Sequence, residues 1–478
     1  MNPDSSAQKR EAVPDSTPFP RISTGNVNAD LILDGGFMTN SINIIMGEPG
    51  TGKTVFAQQL MFHNASDDRP VLYLTTLSEP LSKVVSYAQR LAFFDATRLS
   101  SAIVYDDVGQ ALVAEGPRAL VSRLAHEIRT RSPRIIMIDS FRAMHDLGAD
   151  IAEARRVISD LAGMLSAYDA TTFLLGEYTR SGIQLYPEFA VADSIVELAR
   201  VSLGSRDERF FRVLKLRGGN YREGQHAFRI TDCGLELYPR LVSPSVAQDY
   251  TPTLERVATG IEGLDDVVGG GLWRGTTTML AGPTGAGKTI LGLQFAMGGI
   301  KRGQSSLIVH FQENPMQLRR TAQLLGFNVD DAKKRGLHVL YASPVELPID
   351  SIIGAIFDLI RTDAIGRVVI DALGDLVIAA SDPQRLHDYL YALVQHFAVH
   401  NVTSMLTLES ATGVTGADAH TQRFSYMSDN VLLLGADGSS GRTLRVIKTR
   451  NSAHDRRTHQ FEIDQRGARV VRSNEPSA

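Results

Sequence analysis

Two eight-residue stretches, GEPGTGKT at residues 47–54 and GPTGAGKT at residues 282–289, have the residue types and spacing of a phosphate-binding loop, G-x-x-x-x-G-K-[ST]. Gly47, Glu48, Pro49, Gly50, Thr51 and Gly52 would form the first loop, and Gly282, Pro283, Thr284, Gly285, Ala286 and Gly287 the second. The glycines allow positive φ angles and close approach, so successive backbone N–H groups can converge on the α and β phosphates of a nucleotide. Lys53 and Lys288 would reach the β and γ phosphates, and the hydroxyls of Thr54 and Thr289 would ligate Mg²⁺. Apolar residues lead into each loop and a helical pattern leads out, TVFAQQLMF after the first and TILGLQFAM after the second, the strand–loop–helix setting that the motif requires. Either match alone also fits a glycine-rich turn before an ordinary core helix; two at corresponding points of one chain do not.

The elements that must carry these loops belong to a duplicated domain. Lys288 follows Lys53 by 235 residues, Asp371 in VVIDAL follows Asp139 in IIMIDS by 232, Lys448 in IKTRN follows Lys215 in LKLRG by 233, and Phe461 follows Phe228 by 233. Such constant spacing makes the chain two copies of one unit. RISTGNVNADLILDGGF from Arg21 and RVATGIEGLDDVVGGGL from Arg256 open the copies. The expected layout is an arm at 1–20, a first domain at 21–240, a linker at 241–252 within PRLVSPSVAQDYTP, a second domain at 253–472 and a tail at 473–478.

Helical patterns alternate with short apolar runs, VLYLTT, RIIMID and TTFLLGE in the first copy and SLIVHF, RVVIDAL and TSMLTLE in the second. Each copy therefore reads as an α/β domain with a largely parallel sheet covered on both faces. Ligands bind such sheets at the carboxyl ends of the strands, where the loops meet Asp139 and Asp371. A carboxylate there can hold the hydration shell of Mg²⁺ or cap the following helix; the phosphate loop about 85 residues earlier favours the metal role.

At 478 residues, with 43% hydrophobic and 21% charged residues, the chain can bury a core in each copy. A net charge of −4 argues against a protein coated for nucleic acid. The single cysteine, Cys233, excludes an intramolecular disulfide and a cysteine-ligated zinc site, and fits a reducing cytoplasm. There is no apolar run of about 18 residues or more, so no membrane partner is expected. The polar opening MNPDSSAQKREAVPDSTPFP reads as a disordered arm.

With these residues in place, the chain resembles the KaiC circadian-clock ATPase family of RecA-like ATPases. The resemblance spans residues 21 to about 470. Beyond the phosphate loops it rests on Thr259-Gly260, Leu264-Asp265 and Gly269-Gly270-Gly271, on KLRG at 215–218, and on K-x-R-x-S-x-H-D at 448–455. It implies two tandem RecA-like P-loop domains with ATP and Mg²⁺ as ligands. It further implies a homo-oligomer, a two-tier ring of six subunits with ATP between neighbours, slow hydrolysis in the first domain and serine/threonine autophosphorylation in the second. Lys215, Arg217, Lys448, Arg450 and His454 match family positions that reach a neighbour's γ-phosphate. A cation supplied in trans there can be worth about 10³–10⁵ in rate. Read without the family, basic residues at i and i+2 are one face of a solvated strand edge.

The family carries two adjacent glutamates that activate the attacking water or hydroxyl. The second copy reads Phe311-Gln312-Glu313-Asn314-Pro315, keeping Glu313 as base or water-orienting group; Gln312 can hydrogen-bond a nucleophile but cannot take its proton at neutral pH. The first copy reads Thr76-Leu77-Ser78-Glu79-Pro80, which in the proline register keeps neither glutamate, although Glu79 shares a strand face with Leu77. Losing a general base costs about 10²–10⁴ in rate. The first domain is therefore expected to hold ATP as ring glue and the second to do the chemistry.

Ser425 aligns with the family's first phosphoacceptor, while Tyr426 stands in place of the threonine beside it. Ser428 is a further candidate acceptor in a Ser-Asp-Asn sequence that also suits a turn or cap. RSNEPSA ends the sequence where clock members extend to recruit an activating partner, so environmental or stress signalling stands beside timekeeping. Two other functions fit the same core. One is a DNA-dependent motor with residues 413–424 lining a channel. The other is a nucleotide-gated scaffold reporting ATP/ADP status to a signalling partner.

Overall fold

The computed structural model describes residues 20–77, 80–146, 151–203, 206–244, 253–312, 314–343, 345–380, 383–410, 424–437 and 441–471. The expectations for the arm at 1–19, for 245–252 of the linker, for the tail, for Ser78, Glu79 and Glu313, and for residues 413–423 lie outside these. The chain divides into two compact units between Pro239 and Arg240.

In the first unit nine strands form one sheet in the order Ile103–Asp107, Val71–Thr75, Ile135–Asp139, Thr171–Gly176, Ile42–Gly47, Ser194–Leu203, Arg206–Leu216, His226–Thr231, Gly234–Tyr238. The first six are parallel and the last three antiparallel. The second unit repeats this order with Leu337–Tyr341, Ser306–His310, Arg367–Asp371, Thr403–Glu409, Thr277–Gly282, Asn430–Asp437, Gly441–Thr449, Thr458–Asp464 and Gly467–Val471. Two copies of one mostly parallel, helix-flanked sheet are what the repeat spacing and the apolar runs predicted.

The strand before each phosphate loop, Ile42–Gly47 or Thr277–Gly282, is buried along its whole length. A central strand covered on both faces has no solvent side, which is why INIIMG carries no alternating polar residues. Its side chains still alternate between two cores: Ile44 and Met46 join Leu72, Phe141 and Leu174, whereas Ile45 joins Phe37, Phe56, Phe173 and Phe211. In the second unit Met279 and Ala281 face one core and Leu280 the other. Polar residues at the buried strand starts are satisfied locally: Thr277 Oγ1 meets Ser404 Oγ at 2.8 Å, and Asn430 Nδ2 donates to Thr278 Oγ1 at 3.1 Å.

The Thr-Gly pair that opens each copy fixes the chain's entry. Thr24 donates through its N–H and its hydroxyl to Asp30 Oδ1 at 2.7 and 2.8 Å. Thr259 repeats both bonds to Asp265 Oδ1, each at 2.7 Å. Both threonines are fully buried, so the carboxylate of the LD or AD pair is needed to satisfy them.

Candidate nucleotide site

Each buried strand ends in a loop that turns directly into a helix, Lys53–Asn64 or Lys288–Lys301. The turn depends on glycines in the left-handed region, with φ of 74° and 101° at Gly50 and Gly52 and of 79° and 102° at Gly285 and Gly287. A Cβ on Gly287 would also lie 2.7 Å from Ile463 Cδ1 and 3.0 Å from Phe461 Cε1. Gly287→Ala is therefore expected to cost about 1–2 kcal/mol from backbone conformation alone. It should lower the urea midpoint of the purified chain and weaken binding of a fluorescent ATP analogue; an unchanged midpoint would contradict this.

The two lysines occupy equivalent positions. Lys53 Nζ donates to the carbonyl oxygens of Gly47 and Glu48 at 3.0 and 2.9 Å, and Lys288 Nζ to those of Gly282 and Pro283 at 2.8 and 2.9 Å. Burial pulls both ammonium groups below their ordinary value, opposed by Glu177 and Asp139 around Lys53 and by Glu409 and Asp371 around Lys288. A partly desolvated cation whose hydrogen bonds go to neutral carbonyls gains from an anionic oxygen, and phosphate supplies three.

Beside each lysine, a hydroxyl and a carboxylate meet. Thr54 Oγ1 donates to Asp139 Oδ2 at 2.8 Å, and Thr289 Oγ1 to Asp371 Oδ2 at 2.7 Å. Each carboxylate is held from a neighbouring strand as well: Asp139 Oδ2 also accepts from the Tyr73 hydroxyl at 2.7 Å, and Asp371 Oδ1 from the Thr407 hydroxyl. His310 Nδ1 stands 3.7 Å from Asp371 Oδ2. One hydroxyl and one carboxylate form a sparse oxygen set. Such a set fits Mg²⁺, which keeps most of its shell as water and phosphate oxygens, and suits no ion that needs an all-protein cage.

In the second unit these groups line a cavity of about 430 Å³ that includes Lys288, Thr289, Asp371, His310, Gln312 and Glu409. That volume lies in the range of small-molecule sites. Thr284 donates to Glu409, and Arg442 Nε donates to the Gly285 carbonyl oxygen at 3.3 Å, so a carboxylate and a guanidinium border the loop.

The basic residues of the late strands gather elsewhere. Lys448 Nζ donates to the carbonyl oxygens of Ser425 and Ser428 at 2.9 and 2.7 Å. Arg450 Nη2 donates to Tyr426 O at 2.9 Å, with Nη1 3.6 Å from Asp429 Oδ1. Burial and then the neighbouring Arg450 hold Lys448 below its ordinary value, with Asp429 acting the other way. In the first unit Lys215 is lowered by burial and by Arg217, and Arg217 Nη1 lies 3.4 Å from Asp193 Oδ1. His454 is half-buried, with Nδ1 2.8 Å from Thr449 Oγ1. None of Lys448, Arg450 and His454 lines the 430 Å³ cavity. Ser425 is half-buried, while Ser428 is 2% exposed with its hydroxyl 3.4 Å from Phe424 O.

Sequence reasoning missed Glu177 and Glu409, His310, Thr407, Arg442 and Asp375. Of these, the glutamates carried a signal: they close TTFLLGE and TSMLTLE at the same 232-residue offset as Asp139 and Asp371. Asp193 and Asp429, which accept from the Ile42 and Thr277 N–H groups at 3.0 and 2.9 Å, also repeat.

Two mostly parallel sheets, each with a glycine loop, a lysine folded back onto it and a hydroxyl–carboxylate pair at the strand ends, define tandem RecA-like ATPase domains. The family model for the KaiC ATPase matches residues 22–242 and again 257–475, and the chain belongs to that family. Among curated proteins it is similar to the circadian clock oscillator protein KaiC of Picosynechococcus sp., 27% identical over 92% of this chain and 87% of the relative. It is also similar to the circadian clock protein KaiC3 of Synechocystis sp., 25% identical over 94% and 91% of the two chains. The KaiC of Synechococcus elongatus is 25% identical over 92% and 86%. Among the described residues, no helix is long and apolar enough to cross a membrane.

Proposed function

We propose that the chain assembles into a ring of identical subunits, six by the family's precedent, that binds Mg·ATP in both halves and completes each pocket with residues of a neighbouring subunit. The first unit holds nucleotide as an assembly element and hydrolyses it slowly. The second transfers the γ-phosphoryl group to water and to Ser425 of the adjoining subunit. The output is a signalling or timing state, as the names of the relatives suggest.

The single observation that carries this reading is the separation of two equipped surfaces within the second unit. Lys288, Thr289 and Asp371 line the cavity, while Lys448 and Arg450 grip the segment bearing Ser425. Basic side chains clamped to an acceptor segment, outside their own pocket, suit delivery of that segment to the next subunit's nucleotide. Thr54 with Asp139 and Thr289 with Asp371 would hold Mg²⁺, which when bound neutralises charge on the β and γ phosphates. Lys288 and the loop N–H groups would hold the phosphates, and Glu313 is the candidate base or water-orienting group. In the transfer, Ser425 Oγ bonds to the γ-phosphorus as its proton passes to the base, for which Glu313 is the candidate, the bridging bond to the β-phosphate breaks, and ADP leaves.

Ser425 is the favoured acceptor because Ser428 is buried. Incubating the purified protein with Mg·ATP is expected to add one phosphoryl mass per chain, and Ser425→Ala is expected to remove it. A shift that persists in that variant would assign the modification to another hydroxyl. Single-stranded DNA in the same incubation is expected to leave turnover unchanged; strong stimulation would favour a nucleic-acid motor. The scaffold reading keeps one observation of its own, Leu77 standing in the first unit where Gln312 stands in the second. Nucleotide binding without turnover or self-modification would establish it.

A further inference from the structure

The exposed Gln312 at the cavity wall is held by a carboxylate that no motif announces. Its Nε2 amide group donates to both oxygens of Asp375, at 3.1 and 3.2 Å. Asp375 is only 7% exposed and lies in the first turn of the helix Leu373–Ala380, which follows directly on the strand ending at Asp371. A side-chain amide has one face that donates and one that accepts. An ionised carboxylate only accepts, so it decides which way the amide turns: the opposite flip would set a carbonyl oxygen against a negative charge. With the NH₂ group committed to Asp375, Oε1 is what Gln312 has to offer a ligand in the cavity it lines.

We propose that Asp375 is a positioning residue for the second unit's phosphoryl transfer. It fixes the Gln312 amide so that Oε1 accepts a hydrogen bond from the attacking hydroxyl or water. The amide orients that nucleophile and takes no proton from it. The loose transition state of phosphoryl transfer asks mainly for positioning, which an acceptor oxygen at a fixed place supplies. The first unit lacks both partners: at the repeat offsets Leu77 stands for Gln312 and Ala143 for Asp375. The pair therefore occurs only in the unit to which the chemistry has been assigned, and this inference rests on that assignment.

The test compares Asp375→Asn, Gln312→Glu and the double variant in the full chain, with the second-unit rate defined as the turnover that Lys288→Ala removes. An asparagine in place of Asp375 can donate as well as accept, so the Gln312 amide loses its fixed orientation. Asp375→Asn is expected to lower the single-turnover rate by about 10²-fold, the cost of a misplaced reacting group, with affinity for a fluorescent ATP analogue held within about twofold. Gln312→Glu alone sets two carboxylates against each other and should add a new titration to the pH–rate profile. In the double variant the introduced amide donates to the introduced carboxylate, which should return the rate to wild type or above and move that titration down to more acidic pH.

An Asp375→Asn rate within about twofold of wild type overturns the inference. So does a fall in rate and affinity together that the double variant fails to reverse, since that is what loss of a merely structural contact gives. If Lys288→Ala removes no turnover at all, the assignment of chemistry to the second unit is what fails.

Discussion

Lys288→Ala should lower ATP turnover by about 10²–10³-fold, the usual effect of removing one preorganised charge-stabilising donor from a phosphoryl- or acyl-transfer site. Its ammonium group is half-buried at the loop and donates to the carbonyl oxygens of Gly282 and Pro283. Those two carbonyls become the wrong partners for a nucleotide once the cation is gone, because they present oxygen to oxygen. Lys53→Ala removes the same group from the first unit, where Leu77, just beyond the strand Val71–Thr75, stands at the position of Gln312. Its main expected consequence is impaired ATP-dependent assembly, read as a shift toward monomer in native mass spectrometry. Phosphate release measured on both variants decides between the halves. Loss of most turnover in Lys53→Ala alone, with Lys288→Ala active, would reverse the assignment of chemistry to the second unit.

A larger effect is expected at the late strand of the second unit. Arg450→Ala should reduce phosphoryl transfer by about 10³–10⁵-fold if the guanidinium reaches a neighbour's γ-phosphate, the range for an arginine supplied to a transferring phosphoryl group. Arg450→Lys should recover little of this, because a single ammonium cannot reproduce the planar fork. Nucleotide affinity should fall far less than the rate, since the loop and Lys288 that hold the phosphates are untouched. Arg450 also holds Tyr426 O and lies 3.6 Å from Asp429, so part of any loss could come from a loosened acceptor segment. Hydrolysis to water separates the two effects. A loosened segment slows modification of Ser425 alone, whereas loss of transition-state charge slows hydrolysis too.

The parts of the molecule that were legible in the sequence are those set by backbone geometry and by repetition. INIIMG had to be a doubly covered strand, the loop after it had to contain glycines at positive φ, and the constant offsets fixed the second unit once the first was read. The mostly parallel, helix-flanked sheet followed from the same runs, but the order of its strands did not. What sequence could not give were partnerships made by strands brought together in space. Thr407 is an ordinary mid-strand residue of TSMLTLE until Ile370 pairs with Leu406 and its hydroxyl is carried to Asp371. Asp375 reads as a routine first-turn helix residue, and only the parallel pairing of Arg367–Asp371 with Ser306–His310, which sets His310 opposite Asp371, brings it against Gln312. The burial of Ser428 beneath its own segment is likewise a matter of tertiary packing, since Ser-Asp-Asn fits an exposed turn as readily.

The central claim, that each second-unit pocket is finished by another copy of the chain, is tested most directly by mixing two inactive variants. Lys288→Ala spoils a subunit's own pocket; Lys448→Ala combined with Arg450→Ala spoils what it would offer its neighbour. Co-expressed with different tags and purified through both, the two chains should regain a substantial fraction of second-unit turnover. The regained activity comes from interfaces where an intact pocket meets an intact Lys448 and Arg450 from the other chain. Mixed assemblies no more active than either variant alone would mean that the cations serve their own subunit's site or none, and would contradict completion in trans.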